Sequence, residues 1–221
     1  LNGIFKGTIY DFATKIALRS TYGAIDLDAT MKNRNHAGKE VYSANIKANN
    51  LNVGALTKQP QTVGTVTLTA KVNGVSLDPK KASLQFSGNV VSAYVKGYNY
   101  QNLAMTGTAH DGNYTAKATM KDPNISFALD GKADMNKKYP SVAATLQLDS
   151  INLKNLKLTA GDMRVHGKII ADVPTADPDY LNAKIQVTDL LVAQKDQVIK
   201  LDTVSLISTA NADSSTLRLK A

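Results

Sequence analysis

Apolar and polar residues alternate along almost the whole chain. The stretch 64–77, GTVTLTAKVNGVSL, is the clearest case. Its apolar residues share one parity: Val66, Leu68, Ala70 and Val72. Successive side chains of a β-strand point to opposite faces, so the pattern predicts a strand with one apolar and one polar face. After Asn73 and Gly74 the apolar positions change parity, which predicts a turn or a bulge there.

The same two-residue period recurs to the end of the chain. Apolar runs of this kind occupy 25–31, 44–48, 84–86, 91–95, 103–105, 116–120, 125–129, 142–148, 185–187, 204–206 and 217–219. Turn residues separate the runs at Asn89, Asp111–Asn113, Asp130–Gly131 and Asp162, and all six prolines fall between runs. We therefore expect an all-β chain, whose roughly 15 strands in one sheet would extend about 70 Å.

Two stretches are ambiguous between helix and strand. Residues 51–60 fit one or two helical turns that Pro60 would end, and residues 188–197 are similar. We expect very little helix.

The chain also contains an internal repeat. Residues 43–53 match 143–153 at an offset of 100, and 182–192 follow the same profile less closely. Each copy has a strand, a polar break and a short apolar segment. No Gly/Ser-rich or Pro-rich linker divides the copies, so we expect 1–221 to form a single continuous segment. Both ends fall within strand-like sequence, and we expect the segment to belong to a longer protein.

The apolar positions are small for a closed fold. The chain has no tryptophan and four phenylalanines, and many inward candidates are Ala, Val or Thr, whereas a packed sandwich needs larger side chains. The nine tyrosines form no paired girdles of the kind found in membrane barrels. The predicted fold is an elongated, curled antiparallel β-sheet, an open groove with an apolar concave face. A face this large predicts a ligand, and acyl chains are the natural candidate.

Charge and cysteine content narrow the function classes. The net charge is +8, but many of the lysines lie in turns, where they keep a sheet soluble and discourage edge pairing. No basic stretch is interleaved with aromatic residues, which argues against nucleic-acid binding. The absence of cysteine excludes disulfides, thiol nucleophiles and cysteine metal sites. The sequence contains no run of 18 or more apolar residues, so it predicts no membrane-spanning helix.

Catalytic chemistry has little support in this sequence. The histidines at 36, 110 and 166 lie beside different turns, and no nucleophile or phosphate-loop motif is present. Asp177 and Asp179 flank Pro178, which is more typical of a solvated turn than of a calcium site. We expect no enzymatic activity, no catalytic residue, no metal and no cofactor.

The strongest strands supply the candidate site, a groove lining for lipid chains. The predicted lining residues are Val66, Leu68, Ala70, Val72, Leu84, Phe86, Val142, Ala144, Leu146 and Leu148. Ordinary core packing is the alternative for each of them, and the two interpretations overlap because a groove floor is also a core. Tyr94, Tyr98 and Tyr100 fit either an amphipathic rim or cross-strand pairs on the sheet.

Several stretches, taken in order, resemble a known family. Residues 3–31, GIFKGTIYDFATKIALRSTYGAIDLDATM, resemble a recurring pattern of that family. In it a glycine-containing strand is followed by a strand anchored by an aromatic residue. Residues 42–57, YSANIKANNLNVGALT, resemble the strand-plus-LNVGALL element of AsmA-like proteins. Residues 98–135 and 140–158, with YNYQNLAMTG, DPNISFALDG and PSVAATLQLDSINL, are similar to the translocation and assembly module subunit TamB of Bacteroidetes.

The resemblance implies a long groove in a periplasm-spanning protein of a Gram-negative bacterium, tethered to the inner membrane outside this segment. It implies phospholipid acyl chains as ligands, carried between inner and outer membrane, and an outer-membrane barrel partner. Two alternatives stay open. One is a scaffold that binds β-barrel or autotransporter clients by strand addition, and the other is a structural β-rod or adhesin.

Overall fold

The computed structural model describes residues 2–177, 179–194 and 197–220. The chain divides into two compact units, residues 1–112 and 113–221, and within each the strands follow one another in chain order. All paired strands within the units are antiparallel. The predicted all-β fold class with very little helix is confirmed. That the units form one continuous groove stays a prediction.

Unit 1 contains seven strands and one short helix. They are β1 Asn2–Gly7, β2 Phe12–Ser20, β3 Gly23–Lys32, β4 Val41–Asn52, α1 Val53–Thr57, β5 Val63–Val75, β6 Ser83–Val95 and β7 Tyr98–His110. Each strand pairs with the next, and β1 and β7 do not pair with each other in the described residues. The sheet of this unit is therefore not closed.

Unit 2 contains the other seven strands. They are β8 Asn113–Asp122, β9 Ile125–Asp134, β10 Ser141–Asn152, β11 Met163–Thr175, β12 Asn182–Gln194, β13 Gln197–Ala210 and β14 Ser215–Lys220. The described part of the chain thus has 14 strands, close to the number that the periodicity predicts. No helix among the described residues has the length and apolar character needed to cross a membrane.

The helix predicted within 51–60 is confirmed as α1. The side-chain oxygen of Asn52 caps it by accepting a hydrogen bond from the Ala55 N–H at 3.0 Å. Lys58 ends it in the left-handed conformation, at φ 58°, and Pro60 follows. In the other ambiguous stretch, residues 188–194 belong to β12, and 195–196 lie outside the described residues.

The repeat at an offset of 100 has a structural counterpart. The pairing of β4 shifts register between Ala48 and Leu51, and that of β10 shifts between Leu148 and Ile151. Asn152 then accepts from the Asn155 N–H at 3.0 Å, as Asn52 does from Ala55. The two copies therefore share a bulged strand and an asparagine-capped turn.

Several predicted turns are wrong. Asn89 lies inside β6, and Asp130–Gly131 lies inside β9, because both strands run on in unbroken pairing through these residues. Pro174 lies inside β11, at a point where the register with β12 is irregular. Proline has no backbone N–H to donate, and the interrupted pairing at this point does not require one. Pro178 lies outside the described residues.

The turn or bulge predicted at Asn73–Gly74 is also wrong. The strand β5 continues to Val75, in regular register with β6. Val75 and Leu77 are exposed, so their change of parity puts apolar side chains on the outer surface. The chain turns at Ser76, whose φ is 64°. A Cβ at Gly74 would lie 2.7 Å from the Tyr42 hydroxyl oxygen, so any residue other than glycine would displace the Tyr42 ring.

A single added methyl group tests the seam between α1 and β5. In Gly54→Ala the new Cβ would clash with the Val63 carbonyl oxygen, and backbone cannot rotate away as a side chain can. We expect a loss of about 2–4 kcal/mol in the free energy of unfolding. Gly131→Ala is the control, since its nearest neighbours would lie 3.9 Å away. Urea denaturation followed by circular dichroism measures both, and equal midpoints would contradict the prediction.

Candidate functional site

One apolar residue from each strand of unit 1 lines up across the sheet. The register pairs them in order as Gly3, Ile16, Leu27, Ile46, Ala70, Gly88 and Met105. We call this set the central row. No member carries a charge, and the row crosses all seven strands.

The rows two residues to either side are apolar except for Thr14. Residues i and i+2 share a face, so these rows lie on the same face of the sheet as the central row. On one side stand Leu18, Ile25, Ala48, Leu68, Val90 and Leu103. On the other stand Phe5, Thr14, Ala29, Ala44, Val72, Phe86 and Gly107. Tertiary pairing thus joins the separate strand patterns into a continuous apolar face.

A cavity of about 710 Å³ lies against the central row. Its lining consists of the seven row residues and the residue before and after each of them. Because one cavity contacts all seven strands, the sheet of unit 1 provides a trough rather than a flat surface. A second cleft borders Tyr42, Gly74, Leu84 and Ala109 and their strand neighbours.

All ten predicted lining residues are half-buried. Ala70 belongs to the central row, Leu68 to the next row, and Val72 pairs with Phe86 on the other side. Leu84 lies opposite Gly74 at the second cleft. Val66 pairs with Ala93 beyond an irregularity in register. Six of the ten residues are therefore brought together on one face of unit 1, and their contact with lipid stays a prediction.

The other four predicted residues lie on one face of β10 in unit 2. Leu146 belongs to a row of apolar residues, all but the first of them large: Ala118, Leu129, Leu146, Ile169, Val187 and Val204. Ala144 lies in a row with Ala116, Gly131, Ala171, Ile185, Leu206 and Leu219. Val142 pairs with Ala133 and Val173, and Leu148 with Phe127 and Gly167.

Few apolar side chains are sealed from solvent. The buried ones in the described residues are Ala48, Leu51, Ala82, Ala109, Met120 and Leu156. A closed sandwich of this length would bury far more, so most of the apolar face is only half covered. This distribution fits an open trough better than a closed rod.

The sequence pattern missed several lining residues and misplaced one. Ile16, Gly88 and Met105 line the cavity, but only the strand register shows that they align with Ala70. Val91 was predicted on the apolar side and is wrong, since its side chain is 52% exposed. The pairing jumps from Thr67–Ser92 to Leu68–Val90, so β6 has one extra residue and Val90 takes the inner position.

The opposite face of each sheet is polar and carries cross-strand ion pairs. Arg19 binds Asp26 through two contacts of 2.7 and 2.9 Å, and Lys15 lies 3.2 Å from Asp28. In unit 2, Lys117 lies 3.2 Å from Asp130. These side chains are exposed, so each pair contributes at most about 1 kcal/mol. Their main effect is to fix which face stays in water.

Two of the clustered tyrosines contact each other along a strand. The Tyr98 and Tyr100 rings meet edge to face with centroids 4.9 Å apart, at the start of β7. Tyr94 pairs with Asn99 and so faces the other side, where it packs against Gly64. The expectation of cross-strand pairs is confirmed, since Tyr98 lies opposite Val95, Tyr100 opposite Ala93 and Tyr94 opposite Asn99. A rim role for Tyr98 and Tyr100 stays a prediction.

The histidines have separate local neighbours. His36 Nδ1 lies 2.8 Å from the Asn35 side-chain oxygen, and His166 Nδ1 lies 2.9 Å from the Asp149 carbonyl oxygen. His110 lies 3.3 Å from Asp111. Asp177 accepts a hydrogen bond from the Asp179 N–H at 2.9 Å, as in an aspartate turn. Within the described residues no three metal-binding side chains cluster.

Glu40 ties together two connections at one end of unit 1. It is 6% exposed; its side-chain oxygen accepts from the Leu77 N–H at 3.3 Å, and its carbonyl accepts from the Ser76 N–H at 2.8 Å. Its own backbone N–H, aided by those of Leu77 and Gly38, lowers the pKa of this carboxyl against the opposing effect of burial. The contact holds the 33–40 and 76–82 connections beside the second cleft.

This contact makes stability depend on pH. Because the folded-state pKa of Glu40 is lowered, its contribution is complete above the unfolded-state pKa and is lost as pH falls through the folded-state pKa. We expect Glu40→Gln to lower the urea midpoint near neutral pH and to match the parent in acid. Asp172→Asn, at an exposed carboxyl, is the control. A Glu40→Gln deficit that is the same at all pH values would contradict this account.

The fold and the apolar rows define the class: an all-β protein with an open apolar trough on its first seven strands. Comparison with protein-family models, curated proteins and solved structures found no match for this chain.

Proposed function

We propose that the chain is a segment of a TamB/AsmA-like, periplasm-spanning protein whose apolar β-groove covers phospholipid acyl chains in transit between the inner and outer membranes. The observation that supports the proposal is the uncharged central row with its cavity of about 710 Å³. The resemblance of residues 3–31, 42–57, 98–135 and 140–158 to that family points the same way.

The mechanism follows from the uniformity of the apolar rows. Covering a hydrocarbon chain contributes about 0.8 kcal/mol per CH₂, so one covered acyl chain is worth on the order of 10 kcal/mol. Neighbouring positions along a strip of similar side chains differ little in energy. We therefore expect chains to move along the strip while their headgroups remain in water.

The proposal includes a location and partners. The segment works in the periplasm of a Gram-negative bacterium, with the inner-membrane tether and the contact with an outer-membrane barrel supplied by other parts of the protein. It performs no catalysis and needs no cofactor. The lipid is the ligand that this segment itself holds.

The experiment that tests the proposal is native mass spectrometry of the purified chain with identification of extracted lipid. We expect phospholipid to co-purify, or to be taken up from vesicles of phosphatidylethanolamine and phosphatidylglycerol. A chain that holds no lipid and takes up none contradicts the proposal. Binding of extended peptides by such a lipid-free chain would favour the client scaffold, and its absence would favour the β-rod.

A further inference from the structure

The connections of unit 1 lie at two ends of its sheet. Because consecutive strands are antiparallel, one end holds the connections 8–11, 33–40 and 76–82, and the other holds 21–22, 53–62 and 96–97. We call the first the Glu40 end and the second the α1 end. None of the connection residues at the α1 end lines the cavity on the central row. This end is therefore a surface separate from the apolar trough.

Backbone hydrogen bonds join the connections of the α1 end. The Asn52 N–H donates to the Tyr22 carbonyl at 2.7 Å, and the Lys96 N–H donates to the Thr62 carbonyl at 3.0 Å. The helix α1 lies in the chain between Asn52 and Thr62. The three connections therefore form one continuous edge of the sheet.

This edge exposes apolar and aromatic side chains. Leu56 is exposed on α1, Tyr22 in the turn before β3, and Tyr94 near the end of β6. A tyrosine has an apolar ring and a polar hydroxyl, and such side chains are enriched where an apolar phase meets water. An exposed leucine beside them adds a group that can enter the apolar phase.

The charges of the α1 end have one sign. Its three connections contain Lys58 and Lys96 and no acidic residue. The connections of the Glu40 end contain Asp11, Glu40 and Asp78 among their basic residues. Lysines beside exposed apolar groups, with no carboxylate among them, complement an anionic surface that has an apolar layer beneath it. The α1 end meets this description and the Glu40 end does not.

The lysines of this edge stand at backbone positions that lysine seldom takes. The φ angle is 58° at Lys58 and 46° at Lys96, in the left-handed region. Among the described residues, the other non-glycine residues with positive φ are Asn, Asp or Ser, except for Lys157 at 61°. Short polar side chains bond locally in this conformation and lysine does not, so the exposed cation itself is the feature that these turns present.

The internal repeat contains the same combination twice. Lys58 follows the turn that Asn52 caps and lies two residues after the exposed Leu56. In unit 2, Lys157 follows the turn that Asn152 caps and precedes the exposed Leu158. A left-handed lysine close to an exposed leucine is thus a recurring feature of this connection.

We propose that the α1 end of unit 1 is a docking edge for an anionic lipid bilayer. Leu56 and the tyrosine rings enter the interface, and Lys58 and Lys96 contact the lipid phosphates. The bilayer meets the edge of the sheet, whereas a lipid in transit would lie on its apolar face. The inference therefore goes beyond the proposed function and does not depend on it.

The two ends of unit 1 supply matched variants for the test. At the α1 end the variants are Leu56→Ser and the double substitution Lys58→Gln with Lys96→Gln. At the Glu40 end they are Leu77→Ser and the double substitution Lys39→Gln with Lys80→Gln. Leu56 is 51% and Leu77 53% exposed, and the four lysines are exposed, so none of these changes opens a core.

Sedimentation of delipidated protein with vesicles measures docking, and circular dichroism verifies that each variant is folded. One set of vesicles contains phosphatidylethanolamine and phosphatidylglycerol, and the other contains phosphatidylcholine alone. We expect the parent to bind the anionic vesicles more tightly, and high salt to weaken this binding.

The α1-end variants should bind the anionic vesicles more weakly than the parent. One lysine near an anionic surface contributes about fivefold in affinity, so the double lysine variant should lose at least about tenfold. Leu56→Ser should lose about fivefold, because its side chain no longer enters the apolar layer. The Glu40-end variants should bind like the parent.

Three results overturn this inference. The first is a parent that binds neither kind of vesicle, including one whose self-association depends on Leu56, since the edge would then contact a second copy. The second is an equal loss at the two ends. The third is vesicle binding that Leu68→Arg abolishes and the α1-end variants leave intact, because the apolar face would then be the contact. Phospholipid that co-purifies with a parent that does not dock leaves the proposed function standing. Docking by a parent that holds no lipid leaves this inference standing alone.

Discussion

Leu68→Arg is expected to reduce the phospholipid bound to the purified chain by more than tenfold. Leu68 is half-buried between Ala48 and Val90 in the row beside the central row. An arginine there puts a charge into an apolar strip, where a lipid chain would have to cover it without a compensating partner. Native mass spectrometry of bound lipid measures the effect. Leu146→Arg makes the same change in unit 2.

Matched controls separate this effect from general destabilisation. Thr65→Arg and Thr145→Arg introduce the same side chain on the opposite face of β5 and β10, and neither residue lines the cavity. Thr145 pairs with Asp130, so an arginine there has an acidic neighbour. Both controls should bind lipid like the parent. If Leu68→Arg and Leu146→Arg fold and also bind lipid like the parent, the apolar face is not a lipid path.

Leu156→Ala should cause the largest loss of stability among single truncations in unit 2. Leu156 is 2% exposed and lies in the connection between β10 and β11, where its N–H donates to the Asn152 carbonyl at 3.1 Å. Truncating a buried leucine removes burial energy and leaves a cavity, for about 2–5 kcal/mol. Urea denaturation followed by circular dichroism measures the change in the free energy of unfolding.

The same connection supplies the control. Leu158 is 60% exposed, two residues further on, so Leu158→Ala should change the free energy of unfolding by less than about 0.5 kcal/mol. If Leu156→Ala and Leu158→Ala change the free energy of unfolding equally, the connection does not form a small core around Leu156.

Strand content could be predicted because it depends on local information. Alternation such as Val66, Leu68, Ala70 and Val72 assigns a strand and its two faces without any knowledge of neighbours. The same local reasoning identified the turn at 111–112 and the helical turn that Pro60 follows. It failed at Asn89 and Gly131, because a turn-forming residue also fits a strand whose neighbours leave it room.

The residues of the site could be predicted only in part. The ten chosen positions share faces of β5, β6 and β10, but Ile16, Gly88 and Met105 were missed. Gly88 and Met105 follow the parity of the apolar runs predicted at 84–86 and 103–105. The pattern within a strand, however, does not show which residue of a neighbouring strand pairs with Ala70. A slip of one residue would move a whole strand to the other face.

The sequence by itself thus determined the fold class, the apolar face of most strands and the repeated order of strand, polar break and short apolar segment. Each depends on contacts between residues close in sequence. Only the tertiary structure decided the register that aligns seven residues into the central row, the inward place of Val90 over Val91, and the burial of Leu156. These depend on hydrogen bonds and packing between distant segments, whose geometry is set by turns and bulges rather than by the pattern within any one strand.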